Sequence, residues 1–196
     1  LAAPASVHSA RITGRSGVLV ADGAEMILRG NDMLINRYIT VVSNGVGNAG
    51  IANTGALLNA GTNNTLLGTF DLRSTSGATG ATAWIGVEAG DSLNIAGTVI
   101  GTTSTLSMAL TNSLNKIGQG TLTFSGNTSN LYAGLTTVSE GTLVLNKAPG
   151  AWAINGTLTI GDSMGPGLEQ VIVSSAEQIN AAGTLTINST GSLQLA

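Results

Sequence analysis

Gly120-Thr-Leu-Thr-Phe124 and Gly141-Thr-Leu-Val-Leu145 decide how this chain is read. Each is a glycine turn followed by a small polar residue, an apolar position, a variable one and a second apolar one. That alternation sends side chains to opposite faces, so one face is buried and the other is wet. The word returns as Gly156-Thr-Leu-Thr-Ile160, Gly183-Thr-Leu-Thr-Ile187 and Gly191-Ser-Leu-Gln-Leu195. A unit that recurs every one to three dozen residues is the pattern of a solenoid, in which each coil buries its face by stacking on the next. Reuse of one entry word at one strand position implies like stacked on like.

Working outward, the N-terminal part follows the same grammar with weaker spelling. Strands are predicted at Gly17-Val-Leu-Val20, Glu25-Met-Ile-Leu28, Tyr38-Ile-Thr-Val-Val42, Gly68-Thr-Phe-Asp-Leu72, Ala83-Trp-Ile-Gly-Val87, Ser92-Leu-Asn-Ile95, Gly97-Thr-Val-Ile100 and Ser104-Thr-Leu-Ser-Met108. Residues 43–65 are mostly Gly, Asn, Ala and Thr, and read either as turns of the coil or as a loop projecting from it. No stretch of ten residues combines a 3.6-residue period with good helix formers. At most one helical turn is expected near Ser175–Ile179. Short strands with Gly, Asn or Asp turns fit an antiparallel sandwich or a parallel β-helix. The reused word and the scarcity of aromatic bulk, six residues in 196, favour the β-helix.

Composition agrees. Charged residues are 9% of the chain, against roughly 25% in average soluble domains. Thr, Ser, Asn and 28 glycines take their place, which suits tightly stacked strands. Recurrent Leu, Ile and Val at alternating positions, with so little charge, exclude a disordered coil. A net charge of −3 and seven scattered Lys and Arg argue against nucleic acid, because no basic stripe exists to neutralise phosphates. No apolar run approaches the roughly 20 residues of a membrane span. Cysteine is absent, and a long stacked β-array needs no disulfide staples. No signal peptide is legible at Leu1-Ala-Ala-Pro4, and Leu193-Gln-Leu195 stops in a predicted strand. The expectation is therefore a fragment of a longer array, or a terminal coil covered by neighbouring copies.

Residues 113–145 carry a more specific signal. They read Ser113-Leu-Asn-Lys116-Ile-Gly118-Gln-Gly120-Thr-Leu-Thr-Phe124-Ser-Gly126-Asn127, then Tyr132-Ala-Gly134-Leu-Thr136-Thr137-Val138-Ser-Glu-Gly141-Thr-Leu-Val-Leu145. This resembles the autotransporter-associated β-strand repeat, also called the passenger-associated transport repeat. The shared pattern is a Lys-x-Gly-x-Gly-Thr-Leu-Thr-Leu-Ser-Gly opening and a Thr-Thr-Val-x-x-Gly-Thr-Leu-x-Leu close. Phe124 departs from the aliphatic residue usual there, and Leu131–Gly134 stands where Tyr-Thr-Gly is usual. The resemblance implies an all-β, right-handed parallel β-helix in a surface or secreted passenger of a Gram-negative bacterium. It supplies no functional site, since the repeat is structural in such proteins. Residues 1–112 hold no recognisable copy and are read as degenerate coils, with the possible loop at 43–65; residues 113–196 are read as the repeat-bearing part.

Chemistry is sparse. His8 is the lone histidine. A Ser-His-Asp triad would depend on it, yet it sits in a short polar N-terminal stretch and reads as a solvated residue. One His with no Cys cannot supply a usual zinc set. Glu88 and Asp91 flank Ala89-Gly90 and read as turn residues rather than an acid/base pair. Gly45-Val-Gly47-Asn-Ala-Gly50 matches a dinucleotide fingerprint, but no helix or βαβ unit follows it. Trp84 and Trp152 either fill coil corners or, if exposed, stack on sugar rings or meet another subunit.

The sequence thus predicts no catalytic residue, no cofactor and no metal. It points to a non-enzymatic extracellular stalk or adhesin, and alternatively to a filament subunit stacking end to end. Partners would be adjacent regions or copies met through coil ends, or a host or cell-surface glycan or protein. Coils of about 20–25 residues advancing ~4.8 Å each would give eight or nine coils.

Overall fold

Strands of two to six residues with one apolar face are too short to hold a sheet alone, and this chain solves that by winding. A computed structural model describes residues 11–12, 17–42, 55–74, 80–103, 111–164 and 169–196. Nineteen strands fall into three sheets, and every strand pair is parallel. Sheet A stacks, in order, β1 (Arg11–Ile12), β4 (Leu34–Ile35), β7 (Asn64–Leu66), β10 (Ser92–Ile95), β13 (Thr121–Gly126), β15 (Thr142–Lys147), β17 (Glu169–Val173) and β19 (Gly191–Leu195). Sheet B stacks β2 (Val18–Val20), β5 (Ile39–Val42), β8 (Phe70–Arg73) and β11 (Val99–Thr102). Sheet C stacks β3 (Met26–Leu28), β6 (Leu57–Asn59), β9 (Thr82–Val87), β12 (Ser113–Ile117), β14 (Thr136–Val138), β16 (Leu158–Ile160) and β18 (Leu185–Ile187). The chain runs A, B, C and returns to A one strand further on. It is a parallel β-helix, and sheets A and C cross residue 112 without a break.

The interior is made of in-register columns. In sheet A, Leu93, Leu122, Leu143, Val171 and Leu193 lie one on another, beside Leu66, Ile95, Phe124, Leu145 and Val173. Sheet B contributes Ile39, Phe70 and Val99, and sheet C contributes Leu114, Thr136 and Leu158. These side chains form one continuous core. Beyond β11, sheet B continues without regular strands. Leu131 N–H donates to the Val99 carbonyl, Asn130 N–H to Trp152 and Ala153 N–H to Gln178, and Ile154 bridges Ile179.

Several sequence expectations need correction. The glycine word does not occupy one strand position. Gly120, Gly141 and Gly191 open strands of sheet A, whereas Gly156 and Gly183 open strands of sheet C. Within each sheet the words do stack in register: Leu122 on Leu143, and Leu158 on Leu185. The requirement they share is close backbone approach. A Cβ on Gly183 would run into the Gly156 carbonyl, and one on Gly120 into that of Glu88.

Several windings are also longer than expected, and among the described residues they are fewer. The register steps 31 residues from Leu34 to Thr65, 29 from Leu93 to Leu122, and only 21 from Leu122 to Leu143. Eight strands in sheet A make seven windings. The longer windings differ in the interval from sheet B to sheet C: β5 ends at residue 42 and β6 begins at 57, β8 ends at 73 and β9 begins at 82, and β11 ends at 102 and β12 begins at 113.

Segment 43–65 is not simply a loop, because residues 57–59 and 64–66 are β6 and β7; its first part, 43–54, lies outside the described residues. The strand predicted at Ser104–Met108 also lies outside them. Ser175–Ile179 is a turn with Glu177 at positive φ, and Ile179 joins the stack.

Candidate functional site

Corners are where a parallel solenoid loses its backbone ladder, and buried amides repair them here. Asn112 Nδ2 donates to the carbonyls of Leu72 (2.5 Å) and Thr102 (2.9 Å), while its Oδ1 accepts from Ala81 N–H (3.0 Å). Asn130 does the same one winding on, from Nδ2 to Ala153 carbonyl and from Val99 N–H to Oδ1. Gln178 binds the Lys147 backbone through both N–H and carbonyl. A buried polar atom without a partner is costly, and each amide satisfies two or more backbone groups that would otherwise be orphaned. Asn112 and Asn130 are thus structural.

Two lysines lie inside. Lys116 occupies an otherwise aliphatic column of Ile85, Val138 and Ile160 in sheet C. Its stem fills the core, and Nζ reaches the corner to donate to the carbonyls of Ile117 (2.9 Å), Gly118 (2.5 Å) and Glu140 (3.0 Å). Three acceptors call for three protons, which only the ammonium carries. Burial pulls its pKa down to about 7 against the Glu140 carboxylate, which raises it. That carboxylate also accepts from Gly118 N–H (2.7 Å). Lys147 Nζ donates to the Ser125 carbonyl (2.8 Å), and burial lowers it to about 8. Tyr132 is fully buried against Thr136 (2.8 Å), and its burial raises the phenol pKa.

On the outer face of sheet B lies a polar cluster that the sequence reading missed. Phe70 and Leu72 point inward, so Asp71 and Arg73 point out. They pair at 2.8 Å, and Thr102 Oγ1 donates to the Asp71 carboxylate at 2.8 Å. Tyr38 OH donates to it at 3.2 Å, and its own pKa is raised by burial and by the Asp71 charge. The available signal was Phe-Asp-Leu-Arg itself, since alternate residues in a strand share a face. The partners on neighbouring windings became visible only with the register.

The outer face of sheet A carries a groove of about 300 Å³ over three windings, lined by Asn63, Thr65, Ser92, Asn94 and Thr123. Thr65, Asn94 and Thr123 are direct register partners. Asn63, at φ 56°, donates its N–H to Ser92 Oγ and its side-chain amide to Asp32. Ser125 Oγ donates to Asn94 Oδ1.

The tryptophans separate. Trp84 is half-buried on the outer face of sheet C beside Asn115, whereas Trp152 is 40% exposed at a corner. Glu88 and Asp91 form a turn, in which Asp91 N–H donates to the Glu88 carbonyl and Gly90 takes φ 83°. His8 and Gly45–Gly50 lie outside the described residues. Among the described residues no group of three His, Cys, Asp or Glu could hold a metal ion, and no helix is long and apolar enough to cross a membrane.

Compared with known proteins, residues 114–145 match the family model of the passenger-associated-transport-repeat. Searches of curated proteins and of solved structures give no match. The matched residues begin in β12 and end in β15. They wind just over once, so that their Gly-Thr-Leu close lies on their Gly-Thr-Leu opening, Thr121 on Thr142 and Leu122 on Leu143.

Proposed function

We propose that this chain, which carries a passenger-associated transport repeat, is an extracellular stalk segment of a Gram-negative surface protein. It would act without catalysis, by holding outward-facing groups on a stiff stack. The observation that supports this most is the seating of the repeat. It supplies a tight winding, 21 residues, in a stack whose backbone groups pair from coil to coil. Adhesion belongs to the faces that do not repeat, and the repeat itself keeps the rod in register.

Location tests this reading. An epitope inserted at the exposed Asp22-Gly23 turn, in the full-length protein in its own cells, should be labelled by antibody on intact cells. Labelling only after the envelope is permeabilised would contradict it.

A further inference from the structure

We infer that the sheet A groove is a binding site for a neutral glycan chain lying along the axis of the coil. Its floor is a register row of Thr65, Asn94 and Thr123 on three consecutive strands, spaced ~4.8 Å apart. That spacing is close to the advance of one pyranose unit along an extended polysaccharide. Each strand therefore presents a hydroxyl or amide to one successive sugar. Leu34, register partner of Thr65 and 41% exposed, extends the row with an apolar surface. A pyranose ring needs both: polar groups for its hydroxyls and an apolar patch for its C–H face.

Charge selects the class of glycan. No lysine or arginine lines the groove, and the charged side chain bonded at its rim is Asp32, through Asn63. An anionic polysaccharide would meet a carboxylate with no cation to offset it. The lining is neutral, made of amides and hydroxyls, which both donate and accept. Asn63, Ser92 and Asn94 are fixed by their bonds to Ser92, Asn63 and Ser125, so the groove is formed before a ligand arrives. Without an aromatic platform in the lining, a single site should bind weakly, and a polymer spanning neighbouring molecules would gain by multivalency.

This site goes beyond the stalk reading and does not depend on it. It is tested on the purified 196-residue chain, so its failure leaves surface location untouched. Backbone amide shifts would be followed by NMR during titration with neutral hexa-oligosaccharides (β-1,4- and β-1,3-glucans and mannans), with hyaluronan and alginate oligomers alongside. At least one neutral series should shift signals of residues 63–65, 92–94 and 123 with millimolar affinity. Thr123→Lys and Asn94→Ala, both on the outer face, should weaken that binding tenfold or more while the remaining spectrum stays unchanged. Absence of shifts with every neutral series would overturn the assignment. So would shifts centred on Trp84 or Trp152, or stronger binding by the anionic oligomers.

Discussion

The winding from Leu93 to Leu122 takes 29 residues and the next, from Leu122 to Leu143, takes 21, yet both rise by one strand. The difference lies at the corner between sheets B and C. In the wider winding β11 is a regular strand, and the chain then spends residues 103–112 before β12 begins. In the tighter one the sheet B strand is gone, and Asn130, Tyr132 and Thr136 close the corner with side chains. Rise per winding is set by backbone pairing, which is the same in both, and circumference is set by what fills the corners. The family's repeat pattern falls on the tight kind here, in which glycine approaches, core columns and corner bonds share the winding.

That contrast can be broken most strongly in the core. Phe124→Ala in the tight winding should cost about 4 kcal/mol in urea unfolding, because neighbours stacked above and below cannot collapse into the space. Phe70→Ala in a wide winding should cost less, about 3 kcal/mol, since the longer corner can relax. Equal or reversed losses would show that the tight winding has slack.

The corner amides come next. Asn112→Ala orphans three backbone groups and Asn130→Ala two, and each should cost about 2–3 kcal/mol. A loss under about 0.5 kcal/mol for either would mean that its corner is held by something else.

The smallest effect is a pH slope. Lys116 titrates near 7 in the fold and at 10.5 when free, so between those values the unfolded chain binds a proton that the fold has released. Stability should therefore rise with pH from about 7 towards 10.5, by up to roughly 1.4 kcal/mol per unit for each such lysine. Lys147, near 8, adds to the slope from a higher starting point. Urea midpoints from pH 7 to 9.5 should climb, and Lys116→Met should flatten the lower part of the climb. An unchanged slope in that variant would remove Lys116 as its source.

Much of the fold was legible because alternation and repetition are local. Leu122 and Phe124 announce their buried face within five residues, and Thr-Thr-Val138 announces β14. What was not legible depended on register. β4 and β7 are only two and three residues long, and Leu34-Ile35 carries no alternation to detect. The word Gly-Thr-Leu looked like one strand position because its requirement, a glycine under a neighbouring carbonyl, arises in two sheets. Asp71 and Thr102 lie 31 residues apart, and Thr65 and Asn94 lie 29 apart. These distances became neighbourhoods only once the circumference of each winding was known. Lys116 stood in the sequence only as the opening lysine of the repeat pattern, and its burial follows from the corner carbonyls around it.

The most direct test of the account is a cross-link between the degenerate coils and the repeat. The chain has no cysteine, so Ser92→Cys with Thr121→Cys creates a single defined pair. These outer-face residues are register partners on β10 and β13. Adjacent parallel strands hold them ~4.8 Å apart, within the usual span of a disulfide. Mild oxidation should close the bridge within the monomer, and the offset pair Ser92→Cys with Ser125→Cys should stay reduced. Bridging of the offset pair, or failure of the in-register pair in a folded protein, would contradict the stacked parallel winding.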